Sequence, residues 1–160
     1  VIVVSDSSTL IAMGSVGRIS LLATLYGEVL VPQAVWSEVV RDGRPGAREV
    51  ASATWIRAVP VVNRLCVAEL LKQVGPGEAE AISLAQESHA EVLLIDERRA
   101  RRIAIDLGLP ITGVLGVLLE AKQKGLIPAL KPVLDEMTST VAFRIKRRLY
   151  EAALRDAGEL

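Results

Sequence analysis

The chain has 160 residues, 51% of them apolar, and 19 basic side chains balance 19 acidic ones, so the formal net charge is zero. That length suits one compact domain with a hydrophobic core that needs no disulfide or structural metal, and the charge balance excludes a strongly basic nucleic-acid wrapper and an acidic disordered tail. Aromatic residues make up 3% of the chain, too few for a base-stacking surface, and the single cysteine, Cys66, cannot close an internal disulfide, as suits a reducing, cytoplasmic setting.

The first four residues are apolar, but Ser5 and Asp6 end the run. It therefore reads as a strand over residues 1–5 rather than a secretion signal, nearly all apolar as a strand covered on both faces should be. Helical stretches follow near residues 8–13 and 19–26, a strand over 28–31, and a helix opened by Pro32 and running to about Arg41. A helix near 46–53 leads to a strand within 55–61, and residues 64–73 form a helix that stops at Gly75-Pro76-Gly77. Beyond it the pattern predicts a helix over 78–88, an apolar strand over 91–95, a helix over 97–107 closed by Gly108, a short strand at 110–111 and a helix over 113–124 closed by Gly125. The tail reads as two helices, 128–137 and 143–157. Strands alternating with helices define an α/β sandwich with a mostly parallel sheet. Residues 1–127 form its domain, and residues 128–160 form a helical extension that packs on the core or on a partner subunit. No apolar run approaches the roughly 20 residues of a membrane span, so a soluble protein is expected.

In an open parallel sheet the functional crevice lies beyond the carboxyl ends of the strands. Asp6 follows the first strand and Asp96 follows the strand over 91–95. Each alone could be a helix N-cap; together, at equivalent ends of two buried strands, they favour a site. Glu38 lies beside the apolar stripe of its helix, near Ala34 and Val35. Glu78 shares a face with Ala81, Ile82 and Ala85, whereas Glu80 is turned about 200° away, towards Ser83 and Glu87. Glu78 is thus the inward candidate and Glu80 the fallback, although a first-turn Glu favoured by the helix dipole suits either residue. Arg98, Arg101 and Arg102 share one helix face just after Asp96 and read as phosphate-binding. A second basic group, Arg144, Lys146, Arg147 and Arg148, reads as solvated surface or a dimer contact. His89 reads as a solvated residue at a helix end and Cys66 as core.

The segments VIVVSDSSTLIAM, VPQAVWSEVV, GPGEAEAISLA and EVLLIDERRARRIA resemble, in order and spacing, a PIN domain, and more narrowly a prokaryotic PIN subfamily close to the VapC-type toxins. The likeness continues through LPITGVLGVLLEAKQKGLI and the closing AFRIKRRLYEAALRDAGEL, and so covers nearly the whole chain. It implies a three-layer α/β/α sandwich and four acids, falling here on Asp6, Glu38, Glu78 and Asp96, that converge on one or two divalent ions. Ser8 matches a small polar position lining such sites. The chain departs from the pattern at Leu94, where PIN toxins often carry Thr, and at Glu78, where the third acid is commonly Asp.

Oxygen-only ligands suit Mg²⁺ or Mn²⁺ rather than zinc, and such a centre activates water and clamps a phosphodiester. Asp6 and Asp96 are then the most direct ligands, with Glu38 and Glu78 completing the site or orienting water. The resemblance implies a metal-dependent ribonuclease acting on single-stranded RNA, and the toxin of a toxin–antitoxin pair with an antitoxin protein as partner. The departures at Glu78 and Leu94 point instead to a non-catalytic PIN-like module that binds RNA or protein. A phosphatase using Asp6 as nucleophile ranks last, because Ser8 stands where such enzymes usually carry a second Asp. A mean hydropathy of +0.37 and an extension rich in Leu, Val and Ala predict a homodimer.

Overall fold

The computed structural model describes residues 1–140 and 143–160. Strand β1 (Val3–Ser5) leads into α1 (Ser7–Ser15), α2 (Ser20–Tyr26) and β2 (Val29–Pro32). After α3 (Gln33–Val39) and α4 (Ala47–Ser52) come β3 (Ile56–Val59), α5 (Arg64–Leu70) and α6 (Pro76–Glu87). Then follow β4 (Val92–Leu94), α7 (Arg98–Asp106), β5 (Ile111–Thr112), α8 (Val114–Gln123), α9 (Lys131–Thr140) and α10 (Arg147–Asp156).

All five strands are parallel and lie in the order β3-β2-β1-β4-β5. The chain first builds outward from β1 to β2 and β3, then returns to add β4 and β5 on the other side. The direction of winding therefore reverses between β1 and β4, which opens a crevice at their carboxyl ends. Val3, Val4 and Ser5 pair with Val92, Leu93 and Leu94, and the amide of Asp6 extends that ladder to the Leu94 carbonyl at 2.9 Å. The sheet topology alone thus brings Asp6 beside the start of the segment that carries Asp96.

Alternation along each strand divides the core into two layers. Val3, Val29, Val31 and Leu94 face one cluster, which takes in Leu10 and Met13 of α1, Leu22 of α2 and Val117 and Leu118 of α8. Val4, Leu30, Leu93 and Ile95 face the other, against Val67 of α5, Ile82 of α6 and Ala100 and Ala104 of α7. With helices on both faces, β2 and β4 are wholly apolar and β1 is apolar up to Ser5, while the edge strand β3 carries the exposed Arg57. The result is a three-layer α/β/α sandwich.

Several boundaries differ from the sequence reading for identifiable reasons. Pro32 ends β2 with extended backbone (φ −74°, ψ 166°) and occupies the N-cap of α3, instead of lying in that helix's first turn. Helix α5 ends at Leu70 and passes through a turn closed by the Gln73 amide on the Leu70 carbonyl. Residues 143–146 are not helical. Phe143 and Ile145 are half-buried while Arg144 and Lys146 are exposed, the two-residue period of an extended segment, and α10 begins only at Arg147. The extension packs on the core: Leu134 and Met137 of α9 and Ala153 and Leu154 of α10 are buried in the first cluster. Glu159 fastens its end by accepting hydrogen bonds from the Leu130 amide and Lys122 Nζ, both at 2.7 Å, and from the Lys131 amide at 3.0 Å.

Candidate active site

Asp6 sits one residue past β1, 2% exposed, in the N-cap position of α1. Its Oδ1 accepts the Thr9 amide at 2.9 Å, and its Oδ2 accepts the Asp96 amide at 3.0 Å. Capping and site membership are therefore not alternatives for this residue. Asp96 differs. The cap of α7 is Glu97, whose carboxylate accepts from the amides of Arg99 and Ala100. That leaves the half-buried Asp96 carboxylate to accept from the Thr9 hydroxyl at 2.9 Å and from the Val114 amide at 3.1 and 3.3 Å.

Two carboxylates this close cannot both ionise freely. Burial, and then the Asp96 charge, push the Asp6 pKa up to about 7, although the Thr9 and Asp96 amides act in the opposite direction. Burial likewise raises Asp96 above the ordinary carboxylate value, against the pull of the Val114 amide, the Thr9 hydroxyl and Arg101. Gly113 makes room for the pair: a Cβ there would lie 2.6 Å from Asp96 Oδ1 and 2.8 Å from Arg101 Nη1.

The other two acids stand apart. Glu38 lies near the end of α3, and its Oε2 accepts the Ser7 hydroxyl at 2.8 Å, so it borders the pair through the residue next to Asp6. Its Oε1 faces Arg44 Nη2 at 4.0 Å. Glu78 is half-buried, with Oε2 folded back towards Gly75 at the start of α6, where the helix dipole favours a carboxylate. Among the described residues, no three His, Cys, Asp or Glu are grouped so as to hold a metal ion. Of the four expected acids, Asp6 and Asp96 are linked directly and Glu38 lies alongside through Ser7.

Glu80 corrects the helical-face argument. It is 8% exposed rather than on a polar side, because α6 is enclosed nearly all round, with every residue from Ala79 to Ala85 buried. Its carboxylate accepts the Ala34 amide at 3.0 Å and pairs with Arg64 at 3.2 Å. These contacts tie α6 to the start of α3 and to α5. Ser8 is exposed, and its neighbours Ser7 and Thr9 are the hydroxyls that meet carboxylates. Thr9 escaped the sequence reading, although a residue three positions after a capping Asp is the one its side chain reaches. Leu94 lies in the core, so the hydroxyl on Asp96 comes from another element.

On α7, Arg98 and Arg102 are exposed, whereas Arg101 is half-buried and donates to the Ile95 carbonyl at 2.8 Å. Arg101 is thus committed to the wall of the crevice, while Arg98, Arg99 and Arg102 are exposed, with Arg99 donating to the Gln73 carbonyl at 3.4 Å. In the second basic group Arg147 pairs with Glu151 at 2.9 Å on an exposed face. His89 is exposed in left-handed backbone (φ 53°) at the end of α6. Cys66 is half-buried rather than core, its sulfur 3.1 Å from the Ser83 hydroxyl and 3.4 Å from Gln86 Oε1.

The chain is thus a doubly wound parallel α/β protein with a desolvated carboxylate pair at the switch point of its sheet. A family model described as a PIN domain (DUF3368) matches residues 2–159, and the chain belongs to the PIN-domain family. PIN domains are typically nucleases and generally use divalent metals. No curated protein and no solved structure matches the chain. The donor set fits such an ion. Mg²⁺ is commonly held by one or two carboxylates together with water and substrate phosphates, and Asp6 and Asp96 supply two. No helix among the described residues is long and apolar enough to cross a membrane.

Proposed function

We propose that this protein is a Mg²⁺- or Mn²⁺-dependent ribonuclease that hydrolyses phosphodiester bonds of single-stranded RNA. The observation that carries the reading is the Asp6–Asp96 pair: two desolvated carboxylates joined by the Asp96 amide on Asp6 and by Thr9, which donates to both, where a cation would offset the burial and like charge that oppose ionisation of Asp6. Asp6 and Asp96 would hold the ion, which when bound supplies Lewis acidity and an acidified water. Glu38, whose Oε2 accepts the Ser7 hydroxyl, would orient the attacking water. Arg98 and Arg102 bind backbone phosphates at the rim, and the exposed Ser8 lines the approach. Water adds to phosphorus, the bond to the leaving oxygen breaks, and that oxygen takes up a proton, with no covalent enzyme intermediate.

In the same reading the chain is the toxin of a toxin–antitoxin pair, acting in the cytoplasm as a homodimer, with an antitoxin protein as partner. A monomer in light scattering removes the dimer. The test of the activity is cleavage of end-labelled single-stranded RNA, duplex RNA and single-stranded DNA in Mg²⁺ or Mn²⁺. Cleavage of the first, abolished by EDTA and restored by excess metal, is expected; indifference to EDTA sinks the reading.

A second reading, a non-catalytic PIN-like module that binds RNA or protein, is favoured by one observation: only two of the four acids meet among the described residues. Such a module retains RNA affinity but cleaves none of these substrates.

A further inference from the structure

We propose that Thr9 is a positioning residue of this site, whose amide and hydroxyl together hold Asp6 and Asp96 in the relative orientation that binds a divalent cation. The inference rests on the metal-dependent reading above. Thr9 is fully buried in the first turn of α1. Its amide donates to Asp6 Oδ1 and its hydroxyl to Asp96 Oδ2, both at 2.9 Å, so one residue grips a carboxylate from each side of the switch point. The Asp96 amide on Asp6 Oδ2, at 3.0 Å, closes the ring.

Within that ring the hydroxyl has a distinct task. The Val114 amide straddles the two oxygens of Asp96 at 3.1 and 3.3 Å, and this near-symmetric contact does not fix the tilt of the carboxylate. The Thr9 hydroxyl breaks the symmetry by engaging Oδ2, which leaves Oδ1 the less engaged oxygen. Because Thr9 is wholly enclosed, bulk water has no route to replace that donor. Groups that orient metal ligands from behind typically govern about 10–100-fold of metal affinity or activity.

The experiment compares the full-length wild type with Thr9→Val, which keeps the shape and removes the hydroxyl, and with Thr9→Ser, which keeps the hydroxyl. Mn²⁺ affinity is read by calorimetry and kcat and KM by RNA cleavage. Thr9→Val should bind Mn²⁺ about 10–100-fold more weakly and lose kcat in proportion with KM unchanged, while Thr9→Ser stays within roughly threefold of wild type. Thermal unfolding in EDTA confirms that each variant folds; Thr9→Ala, with the same expected loss, takes the place of a valine variant that does not. A hydroxyl-free variant that binds Mn²⁺ as tightly as wild type overturns the inference, as does a serine variant impaired as severely as the valine one. Wild-type protein that binds no Mn²⁺ overturns the metal-dependent reading and this inference with it. Wild type that binds Mn²⁺ beside an unimpaired Thr9→Val overturns the inference alone.

Discussion

Ionising Asp6 inside this structure works against its burial and against the neighbouring Asp96 carboxylate, and its pKa of about 7 expresses that opposition. Because the folded value exceeds the ordinary 3.8, the metal-free folded chain keeps a proton that the unfolded chain has lost between the two. This contribution to stability is full below about pH 4 and declines as pH rises towards about 7. Asp96→Asn removes the like charge, while the amide still offers an acceptor to Val114 and a donor to the Thr9 oxygen. In EDTA the variant should melt above wild type at about pH 8, with a flatter dependence between about pH 5 and pH 8. Thermal melts across that range check the sign, and a variant less stable than wild type at the upper end contradicts it. Asp6 and Asp96 were legible in the sequence because each follows an apolar run that only a buried strand explains. Glu80 was misread for the converse reason. A helix face looks polar when it carries Glu and Ser, and periodicity does not reveal that α3 and α5 cover it. The Thr9 amide on Asp6 follows from the cap position, but its hydroxyl's bond to Asp96 could not be read, since that carboxylate is 87 residues away.

Helix α7 serves the crevice through its two faces. Ala100 and Ala104 bury one against the sheet, while Arg98 and Arg102 stand exposed. Replacing both arginines by Ala should raise KM with little change in kcat and lower the salt dependence of RNA binding by about two counterions. Binding titrations at several salt concentrations measure the slope, and an unchanged slope removes these residues from the phosphate path. Helix α1, which carries Ser7 and Thr9, is braced at its other end by a contact between two glycines. A Cβ on Gly14 would lie 2.7 Å from the Pro45 carbonyl oxygen and 2.8 Å from Gly46 Cα, and Gly46 itself has φ 78°. Gly14→Ala therefore forces backbone apart, and a loss of about 1–3 kcal/mol is expected from urea unfolding. A variant as stable as wild type shows that the loop before α4 yields freely. The alternation of strands and helices could be read from sequence, whereas this contact could not, because glycine spacing carries no record of which turn it meets.

At the scale of the whole molecule, the segment of residues 128–160 packs on the core. Its helices share the first core cluster with β1, β2, α1 and α8, and Glu159 clasps Lys122 and the amides that open α9. Burial raises the Glu159 pKa, but the Lys122 ammonium and the two amides outweigh it and hold the value at about 2. The clasp is therefore fully stabilising above about pH 4.5 and fails as pH falls towards about 2. Glu159→Ala should cost about 1.5–3 kcal/mol at neutral pH, the scale of hydrogen bonds to a charged group; an unchanged urea midpoint refutes the clasp. Apolar periodicity announced the tail helices and the faces they bury, whereas the Glu159 carboxylate reaching three donors is a tertiary fact that local pattern does not encode. The fold as a whole has one chemical consequence, an acidic pair at the switch point of a neutral protein, and it is tested most directly by RNA cleavage in Mn²⁺ with wild type, Asp6→Asn and Asp96→Asn compared side by side. Metal-dependent cleavage by wild type and a loss of more than about a hundredfold in each variant are expected; cleavage by either variant at the wild-type rate would contradict the assignment of Asp6 and Asp96.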